Sequence, residues 1–283
     1  MAEAGDSAME TLSDLRARID AIDEKLHRLL IERGTAIDSL IRAKGTSTGG
    51  VAFRPQREAE MMRRLAERHR GNLPLATVEH LWREIITTFT FLQAPFRLVV
   101  HYGRDPVAIH DLARFAFGFS VELVRAESPA EVVATVATTG SDLGVVPIED
   151  GRFETPWWRA LSMARGPRIM ALWPFIAGRG LPADAPAAII SPTLPEPTPA
   201  DLALFAGADD CELGSAIPGV SLIADSPAAG RREVLVALAR GNAEATLAAA
   251  RIVDIAEVGG IAAGLTLSSR GDRLRAPIAG RPS

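Results

Sequence analysis

An apolar residue recurs at heptad spacing from Leu12 onward, through Leu15, Ile19, Ile22, Leu26 and Leu29, then Ala36, Leu40 and Ala43. Such a row is one face of an uninterrupted helix. The spacing predicts a helix from about residue 8 to Lys44, roughly 55 Å long at 1.5 Å per residue. The Gly, Ser and Thr run at 45–50 ends it in a loop. A second helix is expected from Pro55, a first-turn proline, to Arg70, with Ala59, Met62 and Leu65 facing inward. A third runs from Ala76 or Thr77 to Gln93, and Pro95 stops it. Two helices of half the length cannot cover the whole apolar row of the first. The economical cover is a second copy of the same domain.

After Pro95 the pattern changes. FRLVVHYG reads as a buried strand, DPVAIHDLARFAFG as a helix, SVELVRA as a strand and SPAEVVATVATTG as a helix capped by Ser128. SDLGVVPIEDG is again a strand, TPWWRALSMAR a helix and PRIMALWPFIAG a strand, and a weaker βα alternation continues through AAIIS, TPADLALFAG, GVSLIAD and GRREVLVALARG. The fold class is therefore multidomain, α plus α/β, with a helical domain at 1–94 and an α/β domain at 95–283. The Pro-rich stretch around 181–199 reads as a surface connection, and the last dozen residues as a frayed tail.

Composition narrows the function classes. The 283 residues carry a net charge of −4, which speaks against a strongly basic nucleic-acid binder. One cysteine, Cys211, and scattered histidines leave no disulfide framework and no metal-binding spacing. No apolar run is long enough to span a bilayer, and the acidic MAEAGDSAME start lacks the apolar core of a secretory signal. The expectation is a cytoplasmic protein with neither membrane nor nucleic-acid partners and no metal or cofactor. Of its 31 basic residues only Lys25 and Lys44 are lysines.

The anomaly in the row is Arg33, a cation at a seam position. It reads as a structural ion pair, with Glu32 or an acid on a neighbouring helix, or as an anion ligand. Lys44, 11 residues on, returns to within about 20° of the same face. The two lie roughly 16 Å apart along the axis, so long side chains can close on a small anion from both ends. Lys44 also suits a helix C-terminus by its charge alone. Arg16 lies about 100° away around the helix, so it is either solvated beside Asp20 or Asp23, or serves the Arg33 site of a second chain. Arg57, Glu58 and Gln93 complete a set suited to a small dicarboxylate with a hydroxyl group.

The stretches LRARIDAIDEKLHRLLIERGTAIDSLIRAK and FRPQREAEMMRRL, with a glutamine near the end of the third helix, resemble the all-helical chorismate mutases over residues 10–94. The resemblance implies an intertwined homodimer of three-helix chains acting on chorismate to give prephenate. It implies that Arg16 reaches the partner's site, that Arg33 holds a substrate carboxylate, and that Lys44 and Gln93 donate to the ether oxygen. Glu58 would take the ring hydroxyl, and Arg57 would support a carboxylate or the local network. The sequence departs from the family at Arg54, where an acid is usual, and at Phe89, where a small or polar residue is common. Both are kept as candidate substrate-binding positions.

SDLGVVPIEDG and FRLVVHYG resemble, more faintly, the prephenate dehydratases, whose α/β fold is of the periplasmic-binding-protein type. That family's Gly-Thr-Phe-Ser loop is GRDPVAIHD here, Asp150 replaces its Asn after Glu149, and its Thr-Arg-Phe triplet is missing. The expectation is a dehydratase-like scaffold without dehydratase activity. The rival readings are a bifunctional mutase and dehydratase, and a non-catalytic dimeric sensor of a small ligand.

Overall fold

The computed structural model describes residues 10–44, 52–163, 165–178, 185–194, 200–209, 218–227, 230–267 and 274–275. The glycine-rich loop at 45–50, Cys211, most of the Pro-rich connection and the tail lie outside the described residues, as does the side chain of Lys44; the first helix, expected from about residue 8, begins at Leu12, since Glu10 and Thr11 are not helical. Contacts group Met1–Gly49 and Gly50–Ser283 as two compact units.

The first unit is α1 (Leu12–Lys44), one helix of 33 residues and so about 50 Å long. Thr11 and Asp14 cap it reciprocally: the Asp14 backbone N–H donates to Thr11 Oγ1, and the Thr11 N–H donates to the Asp14 carboxylate. The Thr11 hydroxyl, which donates to the Asp14 carboxylate at 2.6 Å, and then the Thr11 N–H hold the Asp14 carboxyl below its ordinary value. The heptad row is exposed, with Leu12, Leu15, Ile19, Ile22, Leu26 and Leu29 between 36% and 64% accessible.

The second unit begins with a helical hairpin, α2 (Pro55–Arg68) and α3 (Leu75–Gln93). Pro55 at the first turn starts α2 as the sequence predicts, and α2 ends two residues earlier than expected. The α/β part follows as β1 (Leu98–His101), α4 (Pro106–Phe117), β2 (Leu123–Ala126), α5 (Pro129–Thr139), β3 (Leu143–Pro147), β4 (Arg168–Trp173), β5 (Ile176–Ala177) and β6 (Ala187–Ser191). It continues with β7 (Leu202–Asp209), β8 (Ser221–Ser226), β9 (Arg232–Ala239), α6 (Ala243–Ala249), β10 (Ile252–Ile261), β11 (Leu265–Leu267) and β12 (Leu274–Arg275). Asp105 and Ser128 cap α4 and α5 through their side chains.

Nine strands form one sheet in the order β2-β1-β3-β6-β4-β10-β7-β9-β8, and β12-β11-β5 form a small second one. β1 pairs in parallel with β2 and β3, while the β7 to β10 half is antiparallel where its strands meet one another. Two segments depart from the alternation expected of the sequence: TPADLALFAG and GRREVLVALARG hold strands β7 and β9, not helices. Alanine and leucine favour a helix locally, but pairing overrides the preference. β7 lies between β10 and β9, and at Gly207 an added Cβ would meet Ile252 Cγ2 at 2.3 Å. The Trp157–Trp158 segment is a 3-10 turn, not an α-helix; it buries both indoles against Phe153.

The hairpin and the sheet share one apolar core. Phe53, Ala59, Met62, Leu65, Val78 and Ile86 belong to the same buried cluster as Leu98, Leu112, Phe117, Trp173 and Phe175. Polar bonds fasten the same joint: Gln56 Nε2 donates to the Gly260 carbonyl at 3.2 Å, Arg63 donates to the Ala263 carbonyl at 2.9 Å, and the His80 ring stacks on Phe115.

Candidate active site

On α1, Arg33 is half-buried beside Gly34, and Arg16 is exposed nearer the N-terminus. Lys44 is the last residue of the helix. The 11-residue spacing thus runs along unbroken helix, as the common-face argument for Arg33 and Lys44 requires.

On α2 the neighbours Arg57 and Glu58 part company. Pro55, Gln56, Ala59, Met62 and Leu65 form the buried face. Glu58 falls beside them and Arg57 points to solvent. Successive helical residues diverge by 100°, so adjacent polar residues at the edge of an apolar face separate in this way. Arg54 occupies the N-cap position and donates from Nη1 to the Phe53 carbonyl at 2.9 Å. On α3, Gln93 is half-buried at the C-terminal turn, where Nε2 donates to the Phe89 carbonyl at 2.9 Å. One amide hydrogen of Gln93 is thereby committed, leaving the second and the carbonyl oxygen for a ligand. Phe89 is itself half-buried.

The structure brings Glu58 to two residues that the sequence reading did not single out. Glu58 Oε2 lies 3.2 Å from Arg83 Nη1, and Glu79 Oε1 lies 3.4 Å from Arg83 Nη2. Their side chains are 13%, 6% and 3% exposed for Glu58, Arg83 and Glu79. The Arg83 guanidinium stands over the Trp173 ring, 4.5 Å from its centre. Burial pushes the Glu58 carboxyl above its ordinary value, opposed by Arg83 and by a hydrogen bond from the Arg54 backbone. Glu79 is shifted the same way by burial, opposed by Arg83. Glu58, Arg83 and Trp173 line a cavity of about 30 Å³ between the hairpin and β4. That space suits a water molecule or two, not a ring dicarboxylate. The signal for Arg83 was present in the sequence: with Glu79 it breaks the apolar face of α3 at the i, i+4 spacing of an ion pair.

At the carboxyl ends of the parallel strands β1 and β3, a second charged cluster ties two loops together. The Arg104 backbone N–H donates to Glu149 Oε1 at 2.6 Å, and its guanidinium meets Glu149 at 3.1 Å and Asp150 at 3.0 Å. The Arg152 backbone N–H and the Arg104 guanidinium hold the Asp150 carboxyl below its ordinary value. Gly103 has φ +59, and an added Cβ there would meet Glu149 Oε1 at 2.3 Å. Glu149, the glutamate of the SDLGVVPIEDG stretch, is thus bound by the chain's own loop. No group of three or more potential metal ligands occurs among the described residues. No helix among them is long and apolar enough to cross a membrane.

Residues 15–94 match the family model of chorismate mutase type II. The bifunctional chorismate mutase/prephenate dehydratase of Pseudomonas aeruginosa is 32% identical over 145 residues, 50% of this chain and 40% of that protein. The protein of the same description from Aquifex aeolicus is 32% identical over 146 residues, again 50% and 40% of the two chains. The chain thus spans about two fifths of the length of the curated relatives it matches. Among solved structures, a prephenate dehydratase from Streptococcus mutans covers 61% of this chain and 100% of its own, at a TM-score of 0.37 and 15% identity. Residues 15–94, which run from within the first helix to the end of the third, therefore match chorismate mutase type II.

Proposed function

We propose that the chain is a chorismate mutase, converting chorismate to prephenate without a cofactor, as a cytoplasmic homodimer with helical residues 1–94 as its catalytic domain. The observation that carries this reading is the family match over 15–94, a span that contains Arg16, Arg33, Lys44, Arg57, Glu58 and Gln93. The rearrangement breaks an ether C–O bond and forms a C–C bond within one molecule, so it needs no nucleophile. A site accelerates it by holding the compact reactive conformer through both carboxylates and by donating to the ether oxygen as charge develops there. Arg16 and Arg33 serve as carboxylate clamps, with Arg57 supporting them and Arg54 and Phe89 lining the substrate. Lys44 and Gln93 donate to the ether oxygen, and Glu58 accepts from the ring hydroxyl. The exposed heptad row of α1 supports dimerisation through that helix, since an isolated apolar row of this length requires a cover.

Loss of chorismate absorbance on adding purified protein, with product that acid converts to phenylpyruvate, is the expected result. Unchanged absorbance overturns the reading. A second reading, mutase plus dehydratase, is favoured by the descriptions of the curated relatives. Phenylpyruvate formed without acid treatment would establish it. The capture of Glu149 by Arg104 favours prephenate as the end product.

A further inference from the structure

We propose that Arg83 is a positioning residue for the mutase, and that Trp173 of the α/β part holds Arg83 so that its guanidinium sets the placement of the Glu58 carboxylate. The inference rests on the reading of Glu58 as the acceptor of the substrate hydroxyl, and it gives the α/β part a defined share in that site.

Glu58 has few ways to be held. Its own helix supplies one hydrogen bond, from the Arg54 backbone N–H. Across from it, α3 supplies Arg83 and, behind Arg83, Glu79. On the α/β side the cavity is lined by Phe117, Met170, Trp173 and Phe175, and by no charged group besides Glu58 and Arg83 themselves. Arg83 is therefore the charge that opposes the effect of burial on the Glu58 carboxyl and aims it. Arg83 in turn is divided between two carboxylates on one edge and the Trp173 ring on its face. Its Nε finds no hydrogen-bond partner among the described residues. The carboxylates and the ring are thus what hold the guanidinium. A lysine could neutralise either carboxylate but could not span both and stack.

Arg83→Met, Arg83→Lys and Trp173→Leu, made in the full chain, test this in two ways. With chorismate as substrate, all three should raise KM several-fold, Arg83→Met most. The acid limb of kcat/KM should move to higher pH by about one unit or more in Arg83→Met and less in Trp173→Leu, with Arg83→Lys nearest to the parent. Independently of turnover, the titration of ¹³C-labelled Glu58 carboxylate, assigned by its loss in Glu58→Gln, should shift upward in the same order. Folded variants, by circular dichroism, that keep the parent KM, pH profile and Glu58 titration would overturn the proposal. Should Arg83→Met fail to fold, Arg83→Lys and Trp173→Leu decide it by the same readouts. A parent chain without chorismate turnover would defeat the mutase reading alone, while the Glu58 titration would still pass or fail the Trp173–Arg83–Glu58 relationship.

Discussion

The Arg83 guanidinium stands 4.5 Å over the centre of the Trp173 ring, so a helix of the hairpin and a strand of the large sheet share one buried cation. Arg83 faces two carboxylates, Glu58 and Glu79, and all three side chains are largely withdrawn from water. One positive charge against two negative ones makes the cluster sensitive to which member is removed.

Arg83→Met strips both carboxylates of their partner, and loss of one member of a buried ion pair costs about 3–5 kcal/mol. Glu79→Gln leaves a matched Glu58–Arg83 pair and removes one buried charge, so it is expected to cost under about 1 kcal/mol or to stabilise. Urea unfolding at neutral pH separates the cases. Equal losses for the two variants would show that the cluster does not behave as a shared cation.

The pH dependence of stability follows from the same burial. Glu58 and Glu79 are both raised above the ordinary value of 4.5, so the folded chain holds protons that the unfolded chain has released. Their contribution is fully present below 4.5 and is lost as pH rises through the raised folded values. Asp14 and Asp150 act oppositely: both lie below 3.8, and their contribution is lost as pH falls through their lowered values. Urea midpoints are therefore expected to decline from mildly acidic toward neutral pH, and Glu79→Gln should flatten part of that decline. A midpoint that climbs across this window would contradict the assignment.

Helix α1 was legible because a heptad row is a long, one-dimensional signal, and from Leu12 to Ala43 only Arg33 breaks it. The strands from β1 to β3 were legible for a related reason: apolar runs such as LVVH and LGVVP lie beside helices, and Ser128 announces the cap of one of them. β7 and β9 were not, since their alanine- and leucine-rich residues are strands only because neighbouring strands pair with them. Of the candidate residues, Arg33 and Gln93 stand out as polar breaks in apolar faces. Arg83 breaks a face in the same way, but what it does depends on Glu58, 25 residues earlier, and Trp173, 90 residues later. Nothing in local spacing brings those three together.

Arg33→Ala and Lys44→Ala are each expected to lower chorismate turnover by two or more orders of magnitude, because on the proposed reading each removes a charge-assisted donor to the substrate. Thermal midpoints should move by only a few degrees, since Arg33 is a half-buried cation in a row otherwise made for apolar contact. Near-parent turnover in both variants would remove these residues from the site.

A site shared between chains predicts complementation. Arg16→Ala and Arg33→Ala chains co-expressed with different tags, and purified through both, should regain activity, because one of the two sites then carries neither lesion. Doubly tagged material as inactive as the single variants would place Arg16 and Arg33 in the same chain's site or outside it.

Gln93 donates without needing a proton from solvent, whereas a glutamate must be protonated to donate. With an ordinary carboxyl value near 4.3, Glu at this position is mostly ionised at neutral pH and, on the proposed reading, presents negative charge to an ether oxygen that is itself becoming negative. Gln93→Glu is therefore expected to depress turnover at pH 7 by an order of magnitude or more. The ratio of variant to parent turnover should climb as pH falls, and taking that ratio separates the effect from any acid limb that Glu58 imposes on both proteins. The bond from Gln93 Nε2 to the Phe89 carbonyl adds a structural check. Glutamate cannot donate to Phe89 when ionised, so the last turn of α3 should loosen, and amide exchange at residues 90–94 should quicken at neutral pH and slow toward acid. A ratio that stays flat while amide exchange changes would mean that Gln93 caps the helix and never meets the ether oxygen.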